Sequence, residues 1–551
     1  MTKLKPNQQI WLFSILWILV NIIQAVFSPL AKDETYYWAY SLHLDWGYFD
    51  HPPMIALFIY LGSFINGPLG IKLTCIVSQA LALFLVWKTI SHNRKNEFIP
   101  YFYLIAFCIP LLNIYGFVST PDAPLLLTAA FFLYIYKIFN EKKNIFNSLL
   151  LGLAMALLLY SKYHGVLLIL FVLFSNIKLL KCKYYYLAAI FGFLLFLPHI
   201  YWQYSNDFPS FTYHILTRSK GAKWFFFPEY ILIVLLIFNP AFLVFSYKKL
   251  LNKNNTQNSD NTSLWAFWGF IIFFLAMTFK WHIQPQWIIV ACLPFLKIFY
   301  EEICENETTR KKFLLYAYIT LGILIVARII LISNVLTISS LIKNSDEAIS
   351  EINNNAQNRP VMIQNSYMNA SMYGYFTNQD SIHSNNTMFS RKSQYDVWRF
   401  EERYHNRNIC YVTGIANSEQ SKNKFFEYYY IDTFQAINKL KAIVINDTLT
   451  SKANDSLRFD IEIKNPYTYI INCDTKNKIV LQLLIQNKKR EIIFAPLNIL
   501  NGIIRPNSTD TIHISHYTNQ LPGEYKLGVC IKYGFIDSYS PSNLTKLIVT
   551  E

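Results

Sequence analysis

The chain has 551 residues, of which 53% are hydrophobic, 17% aromatic and only 15% charged. Soluble domains carry about 25% charged residues, so a wholly soluble enzyme is excluded, and so is a disordered chain, which could not hold this much apolar matter. The net charge of +15 would suggest nucleic acid in a soluble protein; in a membrane protein it is the ordinary excess of Lys and Arg in cytoplasmic loops.

The first two-thirds breaks into long apolar runs. A span needs ~20 mostly apolar residues, and eleven candidates are read at about 10–30, 69–88, 98–116, 121–138, 145–160, 163–180, 184–201, 229–247, 264–279, 285–300 and 313–334. One set of connections is rich in Lys and Arg: Lys88, Arg94 and Lys95; Lys137, Lys142 and Lys143; Lys178, Lys181 and Lys183; Lys248, Lys249 and Lys253; Arg310, Lys311 and Lys312. The alternate connections are poor in them, which places the N-terminus in the cytoplasm and everything after about 335 outside. The first span resembles a signal sequence, but Pro29-Leu-Ala-Lys-Asp-Glu follows in place of a small-residue cleavage site, so an uncleaved anchor is expected.

After 335 the apolar runs shorten. From 336 to 435 strand-like and helical segments mix, as in Pro360-Val-Met-Ile and Ile409-Cys-Tyr-Val. From 436 to 551 strands alternate, as in Leu457-Arg-Phe-Asp-Ile-Glu-Ile and Tyr525-Lys-Leu-Gly-Val-Cys-Ile, which predicts a β-sandwich-like module. Cys410, Cys473 and Cys530 fall in this outer part, where a disulfide is permitted. No CxxC or His-cluster spacing marks a metal site.

The outward loops hold the residues that could do chemistry. The first carries Asp33 and Glu34 directly after a span end, then Gly47-Tyr48-Phe49-Asp50-His51-Pro52-Pro53-Met54. Tyr and Trp there suit a membrane-interface belt, but ionisable groups at the boundary point to function; the bland alternative for Asp33 is a helix cap. The second loop reads Ser119-Thr120-Pro121-Asp122-Ala123-Pro124, equally consistent with a cap and a site. The third is the turn Ser161-Lys162-Tyr163-His164, and the fourth carries His214, Arg218 and Lys220. A helix would place His214 and Arg218 on one face. The fifth reads Lys280-Trp281-His282-Ile-Gln284-Pro-Gln-Trp287. Carboxylates that take a proton or bind a divalent metal, beside cations that hold phosphate, suit a phosphate-bearing lipid substrate.

Asp33-Glu-Thr-Tyr-Tyr-Trp followed by Gly47-Tyr-Phe-Asp-His-Pro-Pro-Met resembles the GT-C glycosyltransferases of the protein O-mannosyltransferase and aminoarabinose (lipid A) transferase superfamily. Thr120-Pro-Asp-Ala-Pro, Ser161-Lys-Tyr, Ser210-Phe-Thr-Tyr-His-Ile-Leu-Thr-Arg, Asn365-Ser-Tyr and Ser393-Gln-Tyr-Asp resemble its later blocks, so the resemblance covers residues 5–400. It implies a polytopic α-helical membrane protein of about eleven spans. A catalytic domain over 1–335 would be followed by an extracytoplasmic α/β region over 336–435 and the appended β module. It implies an inverting transfer of a sugar from a polyprenyl-phosphate donor to an acceptor outside the cytoplasmic membrane: lipid A, another envelope glycan or a protein. Asp33 becomes the lead catalytic candidate, as base or orienter for the acceptor hydroxyl, with Glu34 beside it and Asp122 as the second-loop acid. Lys162, Arg218 and Lys220 are expected to hold the phosphate. In the aminoarabinose branch the acid before Pro-Pro and a later histidine bind a divalent metal; Asp50 and His214 stand at those places. That branch has Glu-Lys where this chain has Asp50-His51, so His51 would stand where a phosphate-contacting cation stands, with a pH-dependent charge. The competing reading is a transporter or flippase of lipid-linked sugars. Transporters place polar groups and broken helices mid-membrane, whereas here they gather in outer loops.

Overall fold

A computed structural model describes residues 4–217, 223–251, 261–333, 345–380, 382–388, 390–414 and 426–551. The chain forms two compact units, Met1–Lys343 and Asn344–Glu551.

The first unit is helical. In chain order it contains α1 (Pro6–Phe27), α2 (Lys32–Leu42), α3 (Met54–Gly62), α4 (Pro68–Thr89), α5 (Ile99–Cys108), α6 (Pro110–Ile114), α7 (Asp122–Glu141), α8 (Ile145–Ser161), α9 (Gly165–Ser175), α10 (Lys183–Ser205), α11 (Pro209–Phe211), α12 (Phe226–Phe238), α13 (Pro240–Leu251), α14 (Asn261–Met277), α15 (Cys292–Glu305) and α16 (Glu307–Ser333). A π-helical turn spans Thr212–Thr217 and a 3-10 stretch spans Pro285–Ala291. Each of the eleven apolar stretches is helical. Among the described residues, five helices (α1, α4, α7, α10 and α16) are long and apolar enough to cross a membrane, and α12 with α13 adds a sixth candidate bent by 89°. The bend falls at Asn239, which has a positive φ, and Pro240.

The sidedness of these helices is inverted relative to water-soluble proteins. On α1, Ser14, Asn21 and Gln24 are buried while Trp11, Leu19, Ile23 and Phe27 are exposed. On α16 Arg328 is buried while Leu315, Ile319, Ile323 and Ile329 are exposed. Apolar side chains outward and polar ones inward is the arrangement that lipid imposes, because only the bundle interior can pair a polar group. The chain is a multi-pass membrane protein.

The interior is more polar than hydropathy suggested. Arg328 donates from Nε to Asn113 Oδ1 at 2.7 Å and from Nη2 to Asn21 Oδ1 at 2.8 Å. A single charged residue barely moves a window average, yet Arg328 ties α16 to α1 and to α6.

The second unit contains α17 (Ser345–Ala356), β1 (Val361–Gln364), α18 (Tyr367–Thr377), β2 (His383–Asn385), β3 (Ile409–Gly414), β4 (Phe426–Ile431), β5 (Lys441–Val444), β6 (Thr448–Lys452), β7 (Asp455–Lys464), β8 (Ile471–Asn472), β9 (Ile479–Gln486), β10 (Ile492–Ile499), β11 (Ile503–Ile504), β12 (Thr509–Thr518), β13 (Gly523–Tyr533) and β14 (Thr545–Thr550). A mixed sheet of order β2-β1-β3-β4 precedes a five-stranded sheet β10-β9-β13-β14-β6 and a three-stranded sheet β12-β7-β5. Leu457, Phe459, Ile461 and Ile463 of β7 face inward in alternation, as the sequence pattern predicts. They share one core with Leu481 and Leu483 of β9, and with Ile409 and Tyr411 of β3. The two regions expected on either side of residue 436 are therefore fused by a common interior. Cys410, Cys473 and Cys530 are buried, separate thiols.

Candidate functional site

The first loop builds the site around α2. Asp33 is not the helix cap. Ala31 holds that position, and Asp33 lies in the first turn, where the helix dipole favours a negative charge. Asp33 is exposed, whereas the neighbouring Glu34 is buried at 1%. Glu34 Oε2 accepts from the Ala31 amide and Oε1 from the Ser119 amide, both at 2.8 Å. Lys72 Nζ, equally buried, stands 3.6 Å away. Glu34 thus ties the first loop to the second loop and to α4. Burial pushes its carboxyl above the usual range, against the Lys72 charge and the two amides.

The rest of the loop folds back on itself through tyrosines. Tyr40 and Tyr48 stack at 4.0 Å between ring centroids. The Tyr40 hydroxyl donates to Asp50 Oδ1 at 2.7 Å, and the Tyr48 hydroxyl donates to the carbonyls of Tyr40 and His43. Gly47 is required by close approach: a Cβ there would sit 2.5 Å from the Trp202 ring and 2.9 Å from His199 Nδ1. The Trp202 indole donates to Asp45 Oδ2 at 2.7 Å, so the loop is pressed against α10 at that glycine.

Asp122 is the first residue of α7, and Pro121 holds the cap position. Asp122 Oδ1 pairs with Lys162 Nζ at 2.6 Å, with both side chains buried. Tyr115 lies within electrostatic reach of both Asp33 and Asp122. In the fourth loop His214 Nε2 bonds the Asp50 carbonyl oxygen at 3.0 Å. A carbonyl only accepts, so Nε2 carries the proton. The His214 ring lies 6.4 Å from His51 and 6.2 Å from Tyr163.

The structure therefore brings together Asp33, Glu34, Asp50, His51, Asp122, Lys162 and His214. Arg218 and Lys220 lie outside the described residues. Asp50 and His214 are neighbours, and among the described residues no third His, Cys, Asp or Glu joins them as a metal ligand. One carboxylate and one imidazole supply two of the ligands a divalent ion needs, the imidazole favouring a borderline metal over an oxygen-preferring one.

Sequence reasoning missed the residues that hold this ring in place. Lys72 and His199 lie within apolar stretches, Gln203 lies just past the end of one, and all three are buried. An ionisable group inside a span is itself a signal, and Lys72 and His199 carried it.

Residues 50–202 match the family described as dolichyl-phosphate-mannose-protein mannosyltransferase. The match begins at Asp50 and spans Asp122, Lys162 and His199. Crystal structures of ArnT from Cupriavidus metallidurans superpose on this chain. The apo form gives a TM-score of 0.55 at 13% identity, covering 74% of this chain and 93% of ArnT. The form bound to undecaprenyl phosphate gives 0.55 at 13% identity, covering 73% and 92%. The chain has the GT-C glycosyltransferase fold. An oligosaccharyltransferase from Archaeoglobus fulgidus aligns over 98% of this chain and 99% of its own at 9% identity, with a TM-score of 0.43. No curated protein matches the chain in sequence.

Proposed function

We propose that this protein is an inverting membrane glycosyltransferase that moves a sugar from a polyprenyl-phosphate donor to an acceptor on the outer side of the cytoplasmic membrane. The observation that carries the reading is an exposed carboxylate, Asp33, next to Glu34 of the buried Glu34–Lys72 pair and accompanied by the buried Asp122–Lys162 pair, on a GT-C fold. That an ArnT structure holds undecaprenyl phosphate supports the choice of donor.

In this reaction the acceptor hydroxyl attacks the anomeric carbon and its proton passes to the Asp33 carboxylate. The bond from the anomeric carbon to the phosphate oxygen breaks on the opposite face, which inverts the centre. Lys162 neutralises the departing polyprenyl phosphate through a charge-assisted hydrogen bond, with His51, Arg218 and Lys220 as further cations. Asp122 holds Lys162 ready, and Glu34 positions Asp33 by fixing the start of α2. A divalent cation held by Asp50 and His214 would supply additional charge neutralisation at the phosphate. The eleven helical stretches would be spans, with the N-terminus cytoplasmic and the strand-rich unit outside, where it would meet a lipid, glycan or protein acceptor.

The test is mass spectrometry of envelope lipids and glycans from cells lacking the protein, complemented with wild type or Asp33→Asn. Loss of one sugar, restored by wild type and not by a folded Asp33→Asn protein, is the expected result. Restoration by Asp33→Asn would remove Asp33 from the mechanism. A flippase for the same lipids is the second reading, favoured by the buried Arg328–Asn21–Asn113 cluster, since transporters place polar groups inside the bundle. Movement of a lipid-linked sugar across vesicles without its transfer would select it.

A further inference from the structure

One buried histidine joins three of the loops that carry the candidate residues. His199 Nδ1 lies 2.7 Å from the Trp46 carbonyl oxygen in the first loop. The carbonyl can only accept, so Nδ1 carries the proton. His199 Nε2 lies 3.0 Å from the Tyr163 hydroxyl in the third loop. The Tyr163 oxygen accepts from Gln203 Nε2 at 3.0 Å, which leaves its own proton available to the unprotonated Nε2 of the imidazole. Gln203 Nε2 also donates to Ser210 Oγ at 2.8 Å, at the start of the fourth loop. Ser210 Oγ in turn donates to the Tyr48 carbonyl at 3.1 Å, back in the first loop. The circuit closes on itself, and it accommodates a neutral imidazole protonated on Nδ1.

His199, Gln203 and Ser210 are each 1% exposed. A histidine that merely packs inside a bundle needs partners on its own helix or on one neighbour. This one meets the loop of Asp50 and the loop of Lys162, and Gln203, one turn later on the same helix, reaches the loop of His214. Gly47 is the position where the first loop closes on the His199 ring.

We propose that His199 is a positioning residue for the sugar-transfer reaction. Its neutral imidazole sets the Tyr163 hydroxyl, and through the adjoining residue Lys162, against the first loop. The assignment rests on the glycosyltransferase reading above. His199 itself touches no reacting atom. Its effect is exerted through loop geometry, where a displacement of about 1 Å is enough to cost about 100-fold in rate.

The test uses the full-length protein in lipid nanodiscs with His199→Phe, His199→Gln, Tyr163→Phe and the His199→Phe/Tyr163→Phe double variant. Turnover of polyprenyl-phosphate sugars from a total lipid extract of the source cells is measured beside hydrogen–deuterium exchange. His199→Phe is expected to lower kcat by about 10- to 100-fold with the donor KM changed much less. It is expected to raise exchange in residues 43–53 and 209–217 together. His199→Gln, which presents both an amide N–H and a carbonyl, recovers much of both effects. Tyr163→Phe removes only the hydroxyl and keeps the ring, so it reports on the circuit even where His199→Phe fails to fold. The double variant is no worse than the more damaged single one, because both break one circuit. Exchange that rises only along α10, or losses in kcat that multiply in the double variant, overturns the proposal. A wild type that turns over no donor overturns the transferase reading, and the catalytic assignment with it; the exchange data then still decide whether His199 holds the loops.

Discussion

Replacing Lys162 by methionine strands a carboxylate inside the first unit. Lys162 Nζ and Asp122 Oδ1 are 2.6 Å apart, with side chains 8% and 5% exposed. At an effective dielectric constant of about 20 the attraction at that distance is about 6 kcal/mol, much of it offset by the desolvation of both ions. Removing one partner leaves the other uncompensated and costs about 3–5 kcal/mol. With about 2.1 cal/mol/K of unfolding entropy per residue, spread over Met1–Lys343, the melting temperature falls by about 4–7 °C. Asp122→Asn keeps an oxygen for Lys162 and costs less, about 1–3 kcal/mol. The double variant Asp122→Asn/Lys162→Met removes both charges and is expected to melt above Lys162→Met alone. All three variants lose transferase activity, so the decisive measurement is thermal melting in nanodiscs followed by intrinsic tryptophan fluorescence. Lys162→Met melting within about 1 °C of wild type, or a double variant below Lys162→Met, would refute a coupled buried pair.

Glu34→Gln turns an amide N–H against the amide of Ala31 or Ser119, since both carboxylate oxygens now accept from backbone donors. Limited proteolysis is expected to open residues 28–53 and 115–122 together, and unchanged cleavage would contradict the tie. Gly70→Ala would place a Cβ 1.8 Å from the Ile65 carbonyl oxygen; the obstacle is backbone and cannot swing away, so the yield of monodisperse protein by size-exclusion chromatography should collapse. In the second unit burial raises the Glu401 carboxyl to about 7 from an ordinary value of 4.5. The folded state then holds that proton more tightly than the unfolded one, so the associated stability is complete below about 4.5 and is lost as pH rises through about 7, a change of about 3 kcal/mol. His383, lowered to about 3 by burial, works in the opposite direction, so the quantity to measure is the difference between wild type and Glu401→Gln. Hydrogen exchange at residues 400–412 across pH 4.5–8 should show wild type weakening relative to the variant, and a flat difference would sink the assignment.

The helices were legible because lipid demands long apolar runs, and a run of that length has few alternatives. The broken stretches were less so. Hydropathy sees one segment at 98–116, while the chain stops α5 at Cys108 and starts α6 at Pro110, a break that proline dictates and an average hides. In the site, the acids could be listed but not sorted. Asp33 and Glu34 are adjacent in sequence, and only the fold shows one exposed and the other sealed behind Lys72, 38 positions on. Asp122 reads equally as cap or site until Lys162 is seen to hold it. His199 lies about 150 residues from the Trp46 carbonyl it binds, a distance over which local pattern carries no information. The β alternation, by contrast, survived intact in β7 because one face of that strand is buried and a period of two admits no other register.

Strand β10 lies at the rim of its five-stranded sheet and, among the described residues, is bonded only to β9. Ile493 and Ile499 are about half exposed, yet the register breaks between Pro496 and Ile499, and Pro496 offers no amide donor. Self-templating assembly feeds on uninterrupted stretches of about six or seven strand-forming residues, and this rim allows only Ile492–Ala495 before proline intervenes. Pro496 thereby acts as a gatekeeper against edge-to-edge aggregation. Replacing it by valine would join Ile492–Ala495 to Leu497–Ile499 into one sticky rim, the change most to be avoided when this protein is overproduced.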